Sequence, residues 1–280
     1  MLARVSPHIN TIMSRVRKLI EYFEHGIRLS HFANEEDITS QLAGQLKNAL
    51  SYSAPDFSIQ CRAIVTKKTS EEPVLGADIL VVISFDSPEL CVSKGFLAQA
   101  KNVELDKSIG STRSMQKLQD QCRKMLDHTP ESYVWLYSGE AFRVQRASTI
   151  EALKTNKPDD VFSHRFLGLF QDFLISMRGD PTINLQDFPR LQSIIKELHI
   201  PFVLLISATS TGESPHGDRE PLPVGGPPDL DAIVRRLDGI SLDEWSSSFS
   251  QRTREQSPQE AEEPTKKQTD FQQHIQLRED

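Results

Sequence analysis

Apolar residues near the N-terminus recur every three to four positions, which is the spacing of one face of an α-helix. The series from Ile9 to Phe23 predicts an amphipathic helix over about residues 7–24, and Gly26 is expected to end it. A second helix is expected to begin after Asn34, a favourable N-cap residue, and to run to about residue 50. Its first turn holds three acidic residues at positions 35–37, which complement the positive end of the helix dipole.

After the second predicted helix the pattern changes to short runs of β-branched and apolar residues, which are typical of strands. Strands are predicted at residues 57–65, 77–83, 95–101, 133–137, 142–147 and 201–206. Helices are predicted at residues 113–127, 160–177 and 188–198. The turn residues Asp86-Ser87-Pro88 separate the second strand from the third and favour a hairpin. The alternation of helices and strands predicts an α/β fold.

The last quarter of the chain differs in composition. Residues 1–207 are expected to form the folded domain, with residues 208–250 as a linker and residues 251–280 as a disordered acidic tail. Within the linker, apolar residues at 230–242 predict a short amphipathic helix. Two interpretations stay open for it: packing on the same domain, or docking on a protein partner or a second copy of the chain.

Charge is distributed unevenly along the chain. The net charge is -7, yet residues 1–207 contain 24 basic and 24 acidic residues. A nucleic-acid-binding surface would therefore be a local patch. The three cysteines, Cys61, Cys91 and Cys122, form no C-x-x-C pair, and no apolar run is long enough to span a bilayer. These features favour a cytoplasmic protein without a disulfide framework or a membrane segment.

Three polar features stand out against the apolar pattern. Helical phase places Glu35 within the buried stripe of the second helix and turns Glu36 towards solvent. Asp78 opens an apolar strand after Gly76, which permits close approach of backbone or ligand. Strand alternation puts Gln99 and Lys101 on one face of the next strand. Each has an ordinary structural interpretation: a first-turn acid, a strand-start aspartate, and an edge-strand lysine.

Together these residues supply what metal-dependent phosphodiester hydrolysis requires. Mg²⁺ prefers hard oxygen ligands, and the developing charge on phosphorus needs a nearby cation. Asp78 and Gln99 provide oxygens, Lys101 provides the cation, and Glu35 adds a second carboxylate from the preceding helix. No Walker phosphate loop, H-E-x-x-H motif or G-x-S-x-G motif points to another chemistry.

The order and spacing of these residues resemble the PD-(D/E)xK nuclease superfamily, in the branch with Gln-x-Lys as the second half of the motif. Mrr-like restriction enzymes and several prokaryotic antiphage nucleases belong to that branch. The matching segments are residues 35–39, residues 76–80 and Gln99-Ala100-Lys101, and the resemblance covers about residues 30–147. It implies a restriction-endonuclease-like fold, a mixed β-sheet flanked by helices, with extra helices at both ends of the chain.

The resemblance also implies roles for individual residues. Asp78 would bind Mg²⁺ or Mn²⁺ directly, and Glu35 would bind a metal or orient a water molecule. Lys101 would polarise the nucleophile or stabilise the transition state. Gln99 stands where a carboxylate is commoner, so a second metal would bind weakly, and the Ala100 carbonyl is a further ligand. The expected function is an endonuclease that hydrolyses double-stranded DNA in a restriction or antiphage defence system.

Further residues are candidates for the surroundings of this site. Gln121, on the helix after the motif, is a candidate flanking residue. Candidate DNA contacts are the basic residues of the nearby loops and of that helix: Lys67, Lys68, Lys94, Lys107, Arg113, Lys117, Arg123 and Lys124. Two alternatives to a nuclease remain. One is a catalytically silent nuclease-like fold that serves as a scaffold subunit of a defence complex, and the other is an unrelated α/β domain in which Asp78 and Lys101 form a structural ion pair.

Overall fold

Two helices open the chain in a computed structural model of the protein, which describes residues 2–66, 76–87, 91–103, 112–154, 164–175, 178–210 and 228–237. α1 spans Leu2–Arg28 and α2 spans Glu35–Leu50. The predicted start of α2 is confirmed, because the Asn34 side chain accepts a hydrogen bond from the Asp37 backbone N–H at 2.9 Å. This cap satisfies one of the free N–H groups of the first turn.

The prediction that Gly26 ends the first helix is wrong. α1 continues to Arg28, and the chain reverses at Ser30, which has a φ of 56°. A Cβ atom on Gly26 would lie 2.6 Å from Cε2 of Phe32. Glycine is therefore needed here because the returning chain packs Phe32 against the helix, and the absence of a side chain makes room for it.

The strands form one mixed sheet. They are β1 (Tyr52–Ala54), β2 (Phe57–Val65), β3 (Ile79–Asp86), β4 (Cys91–Asn102), β5 (Ser132–Tyr137), β6 (Arg143–Arg146), β7 (His164–Arg165) and β8 (Phe202–Ser210). Their order across the sheet is β1-β2-β8-β3-β4-β5-β6-β7. The β8–β3 and β4–β5 pairs are parallel, and the other pairs are antiparallel.

The remaining helices are α3 (Thr112–His128), α4 (Ala147–Ala152), α5 (Phe166–Leu174), α6 (Phe188–Glu197) and α7 (Leu230–Leu237). A core on one face of the sheet contains buried residues of α1, α2 and α5. A second core on the opposite face contains buried residues of α3, α4, α6 and α7. The protein is thus an α/β fold whose mixed sheet lies between two helical layers, as the sequence predicted in outline.

The predicted helix at 230–242 is present as α7. Leu230 and Ile233 are buried in the second core, and Arg62 of β2 pairs with Asp231 at 2.8 Å. The helix therefore packs on the same domain, as one of the two interpretations expects. β8 extends to Ser210, three residues beyond the expected domain boundary. The expected acidic tail at 251–280 lies outside the described residues.

None of the helices in the described part of the chain is both long enough and apolar enough to cross a bilayer. All three cysteines are free thiols, with Cys61 and Cys122 buried and Cys91 exposed.

Candidate active site

The β3–β4 hairpin brings Asp78 next to the Gln99-Ala100-Lys101 segment. Ile79 pairs with Ala98 in the antiparallel register, and the Asp78 backbone N–H extends the ladder by donating to Ala98 O at 2.9 Å. The Asp78 carboxylate then accepts hydrogen bonds from the Ala100 N–H at 2.8 Å and from the Gln99 amide. Residues 21 positions apart in sequence thus meet at one end of the sheet.

Gln99 is the most enclosed polar residue of this group, with 1% of its surface exposed. Its Nε2 donates to Asp78 and, at 3.2 Å, to the Ala100 carbonyl. Its Oε1 is buried and has no hydrogen-bond partner among the residues that the structure describes. A buried oxygen without a partner is costly, by about 1–3 kcal/mol. A cation or a water molecule next to this oxygen would satisfy it.

Lys101 and Glu35 form the second half of the site. Lys101 Nζ lies 2.7 Å from Glu35 Oε1, and Glu35 Oε2 accepts from the Asn102 backbone N–H at 2.8 Å. Glu36 is exposed, so the helical phase selected the carboxylate that reaches the motif lysine. Both carboxylate oxygens of Glu35 are engaged in these contacts. Glu35 is therefore suited to hold Lys101 and the end of β4 in position.

Tyr137 is a buried polar residue near the site that the sequence analysis did not single out. Its hydroxyl lies 3.4 Å from Thr39 Oγ1 of α2. Burial raises the pKa of Tyr137 far above its ordinary value, and the negative charges of Asp78 and Glu35 raise it further. Both carboxylates therefore lie within electrostatic range of one hydroxyl. The signal in the sequence was weak, because a tyrosine at the end of an apolar strand is usually a core residue.

Gly76 lies against α3, the helix that contains Gln121. A Cβ on Gly76 would meet Leu198 Cδ2 at 2.5 Å and Lys124 Cβ at 3.3 Å. The glycine thus permits close packing of the end of α6 and of α3, where the sequence suggested approach of backbone or a ligand. Gln121 is buried. Like Gln99, it has an Oε1 atom without a hydrogen-bond partner among the described residues. Its predicted place beside the site stays a prediction.

The donor set can be tested against the divalent metal that the resemblance implies. Asp78 offers a carboxylate, Gln99 a buried oxygen that lacks a partner, and Ala100 a main-chain carbonyl. Within the described ranges there is no group of three or more His, Cys, Asp or Glu side chains placed to hold a metal ion. Mg²⁺ commonly binds through one or two carboxylates and keeps several water molecules. The donor chemistry of Asp78 is thus compatible with one hydrated Mg²⁺ or Mn²⁺ ion, whereas in the structure the Gln99 amide N–H group contacts both Asp78 and the Ala100 carbonyl.

The candidate DNA contacts that the structure describes differ in exposure and in partners. Lys94 is wrong as a contact: it is 3% exposed, donates to the Arg178 carbonyl and lies 5.0 Å from the centre of the Phe173 ring. It is also seven residues before Lys101, about 23 Å along the strand. Arg123 is exposed but pairs with Asp120 and Glu151. Three further candidates are exposed on α3: Arg113, Lys117 and Lys124. Lys67, Lys68 and Lys107 lie outside the described residues.

Comparisons with known proteins leave the family open. No protein-family model matches the chain, and neither the curated proteins nor the solved structures include a match.

Proposed function

We propose that this protein is a metal-dependent nuclease that hydrolyses phosphodiester bonds of DNA. One arrangement carries the proposal. The Asp78 carboxylate accepts a hydrogen bond from the buried Gln99, whose Oε1 lacks a partner in the described structure. Lys101 follows Gln99 by two residues on the same strand. Metal-dependent phosphodiester cleavage uses oxygen ligands for the metal ion and a cation near the developing negative charge. Asp78 and Gln99 offer oxygens, and Lys101 offers the cation, at one end of the sheet.

The residues divide the work of the reaction between them. Asp78, with Gln99 Oε1 and the Ala100 carbonyl, would hold one Mg²⁺ ion. When bound, such an ion would supply Lewis-acid polarisation of the phosphate and would lower the pKa of a water molecule. Lys101 places a positive charge beside the reacting phosphate and stabilises the charge that develops there. Glu35 positions the Lys101 ammonium group through the 2.7 Å ion pair.

Double-stranded DNA as the substrate, and a role in prokaryotic antiphage defence or restriction, extend this proposal. Both follow from the resemblance of residues 35–39, 76–80 and 99–101 to PD-(D/E)xK nucleases. Control by a protein partner or by self-association belongs to the same extension.

A second candidate is a catalytically silent scaffold with the same fold. It is favoured by the Glu35–Lys101 ion pair, which neutralises the motif lysine, and by the lack of a three-ligand group within the described ranges. In such a protein the Asp78–Gln99 bond would only hold the hairpin end together.

Cleavage of supercoiled plasmid DNA in Mg²⁺ or Mn²⁺ tests the proposal. Asp78→Asn and Lys101→Ala should each lower the nicking rate by about 100-fold or more, as removal of one electrostatic catalytic group does. Asp86→Asn is the matched control, because Asp86 ends the same strand that Asp78 precedes, and it should cleave at the wild-type rate. Equal nicking by all four proteins would contradict the proposal. Absence of cleavage in all four would favour the scaffold.

A further inference from the structure

A closed path of hydrogen bonds joins the first turn of α2 to the ends of β4 and β5. Thr39 Oγ1 donates to the main-chain carbonyl of Glu35 at 2.8 Å, and the Tyr137 hydroxyl lies 3.4 Å from the same Thr39 oxygen. At the end of β4, the Asn102 N–H donates to Glu35 Oε2 at 2.8 Å, and the next N–H, that of Val103, donates to the Tyr137 carbonyl at 2.8 Å. We call these five residues the α2–β5 ring.

The Tyr137 hydroxyl is the donor in its contact with Thr39. A threonine hydroxyl has one proton, and the proton of Thr39 is taken by the shorter bond to the Glu35 carbonyl. Burial and the negative charges of Asp78 and Glu35 raise the pKa of Tyr137 far above its ordinary value, so its hydroxyl keeps a proton to donate. Tyr137 thus fixes the Thr39 hydroxyl, which in turn holds the backbone of Glu35.

The packing of Tyr137 in the core does not by itself require a hydroxyl. Its ring stacks on Phe142 with ring centres 4.8 Å apart, a contact that a phenylalanine ring would also make. A buried hydroxyl costs free energy unless it is hydrogen-bonded, and the hydroxyl of Tyr137 has its partner on α2. Strand β5 therefore contains a buried polar group that is directed to the helix that contains Glu35.

We propose that Tyr137 and Thr39 are positioning residues that hold the Glu35 carboxylate, and through it the Lys101 ammonium group, at the candidate site. This inference rests on the proposed function and adds two residues outside the motif on which the position of the cation depends. Glu35 is the first residue of α2, and helix ends fray, so its carboxylate needs a further anchor. A displacement of about 1 Å can lower a catalytic rate by about 100-fold.

Amide hydrogen exchange at Asn102 and Val103, followed by NMR in EDTA without DNA, tests the proposal. The Asn102 N–H reports on the Glu35 carboxylate, whereas the Val103 N–H donates to a main-chain carbonyl that Tyr137→Phe leaves in place. In Tyr137→Phe we expect exchange at Asn102 to be about fivefold faster, the factor that the net loss of one hydrogen bond gives. Exchange at Val103 should not change.

Matched variants make the outcome specific to the α2–β5 ring. Tyr133→Phe removes another buried hydroxyl from the same strand, one that donates to Glu131, and it should leave exchange at both amides unchanged. Thr39→Val removes the middle hydroxyl and should accelerate Asn102 exchange as Tyr137→Phe does, whereas Thr39→Ser keeps a hydroxyl and should exchange like the wild type. Combining Tyr137→Phe with Thr39→Val should add nothing to the larger single effect, because both act on one path.

DNA cleavage by the same variants gives a second readout. Tyr137 is fully enclosed in the core, so Tyr137→Phe should lower kcat several-fold and leave KM unchanged. Unchanged Asn102 exchange in Tyr137→Phe would overturn the proposal. Equal acceleration at Asn102 and Val103 would also overturn it, because the hydroxyl would then serve stability alone. The expected Asn102 response in a protein that cleaves no DNA would support the α2–β5 ring and contradict the proposed function instead.

Discussion

The two ends of β4 both contain buried polar groups, yet they differ in how completely these groups are hydrogen-bonded. At the first end, Gly95 exchanges two backbone hydrogen bonds with Asp180, at 3.0 and 2.8 Å. The Asp180 carboxylate accepts from Thr129 at 2.6 Å and from the Thr182 N–H at 2.8 Å. At the other end, Gln99 has a buried Oε1 without a partner in the described structure.

The difference indicates which end serves the fold and which end is suited to a ligand. A fully bonded buried network stabilises the structure, whereas an incomplete one is costly unless a ligand or water completes it. Lys101, next to the incomplete network, is about one-quarter exposed, so the open end is also accessible. We therefore expect substitutions at the Asp180 end to change stability and substitutions at the Asp78 end to change activity.

The largest effect on stability is expected from Asp180→Ala. It would leave the Thr129 hydroxyl and the Thr182 N–H without their acceptor, at a cost of about 2–3 kcal/mol in the free energy of unfolding. Burial opposes ionisation of Asp180, but the bonds from Thr129 and Thr182 nevertheless lower its pKa. Urea unfolding measures the loss, and DNA cleavage per folded molecule should not change. A cleavage defect without loss of stability would reverse the assignment of the two ends.

A smaller effect is expected from the pH dependence of stability at Lys94. Burial lowers the pKa of Lys94 from 10.5 to about 8, although the negative charge of Glu131 acts to raise it. Between these values the unfolded chain binds more protons than the folded protein, so stability rises with pH. For Lys94 alone we expect a gain of about 1–2 kcal/mol from pH 8 to 9.5, seen as a difference between the wild type and Lys94→Met. Burial raises the pKa values of the Cys61 and Cys122 thiols to about 12, so their ionisation opposes folding of both proteins over the same interval.

The variant Lys94→Met is the control for this pH dependence. It removes the titrating group, so its free energy of unfolding should lack the Lys94 gain over the same interval. The interval ends below pH 10 because the pKa values of Tyr133 and Tyr137 are raised by burial, which makes their ionisation oppose folding at higher pH. An identical pH dependence of stability in the wild type and in the variant would show that Lys94 does not contribute to it.

The smallest of these effects is expected from Gln99→Glu at the open end. The substitution replaces a neutral amide by a carboxylate next to Asp78, which makes the donor set more attractive to Mg²⁺ and raises repulsion in its absence. We expect a lower melting temperature in EDTA and metal affinity about tenfold higher, worth about 1.4 kcal/mol. Thermal melts over a Mg²⁺ titration measure both. A melting temperature that does not respond to Mg²⁺ would speak against a metal at this end.

Local patterns predicted the parts of the fold that local interactions determine. The cap at Asn34 and the acidic first turn located α2, and the turn at 86–88 located the β3–β4 hairpin. Hairpin register and helical phase then predicted that Asp78, Gln99, Lys101 and Glu35 lie at one sheet end, where the structure places them.

Long-range packing explains what the sequence did not reveal. The insertion of β8 between β2 and β3 depends on contacts across more than one hundred residues. Lys94 has the sequence environment of a surface lysine, and only the packing of the Arg178 and Gly179 segment over it makes it a buried residue. The two-residue strand β7 is too short to have a periodic pattern.

Binding of Mn²⁺ to the purified protein, followed by electron paramagnetic resonance, tests the central assignment most directly. The wild type and Asp180→Asn should each bind one Mn²⁺ per chain, and Asp78→Asn should bind none, because only the Asp78 end combines a carboxylate with a partnerless oxygen in the described structure. Absence of Mn²⁺ binding by the wild type, or equal binding by Asp78→Asn, would contradict the assignment of a metal site to the end of the β3–β4 hairpin.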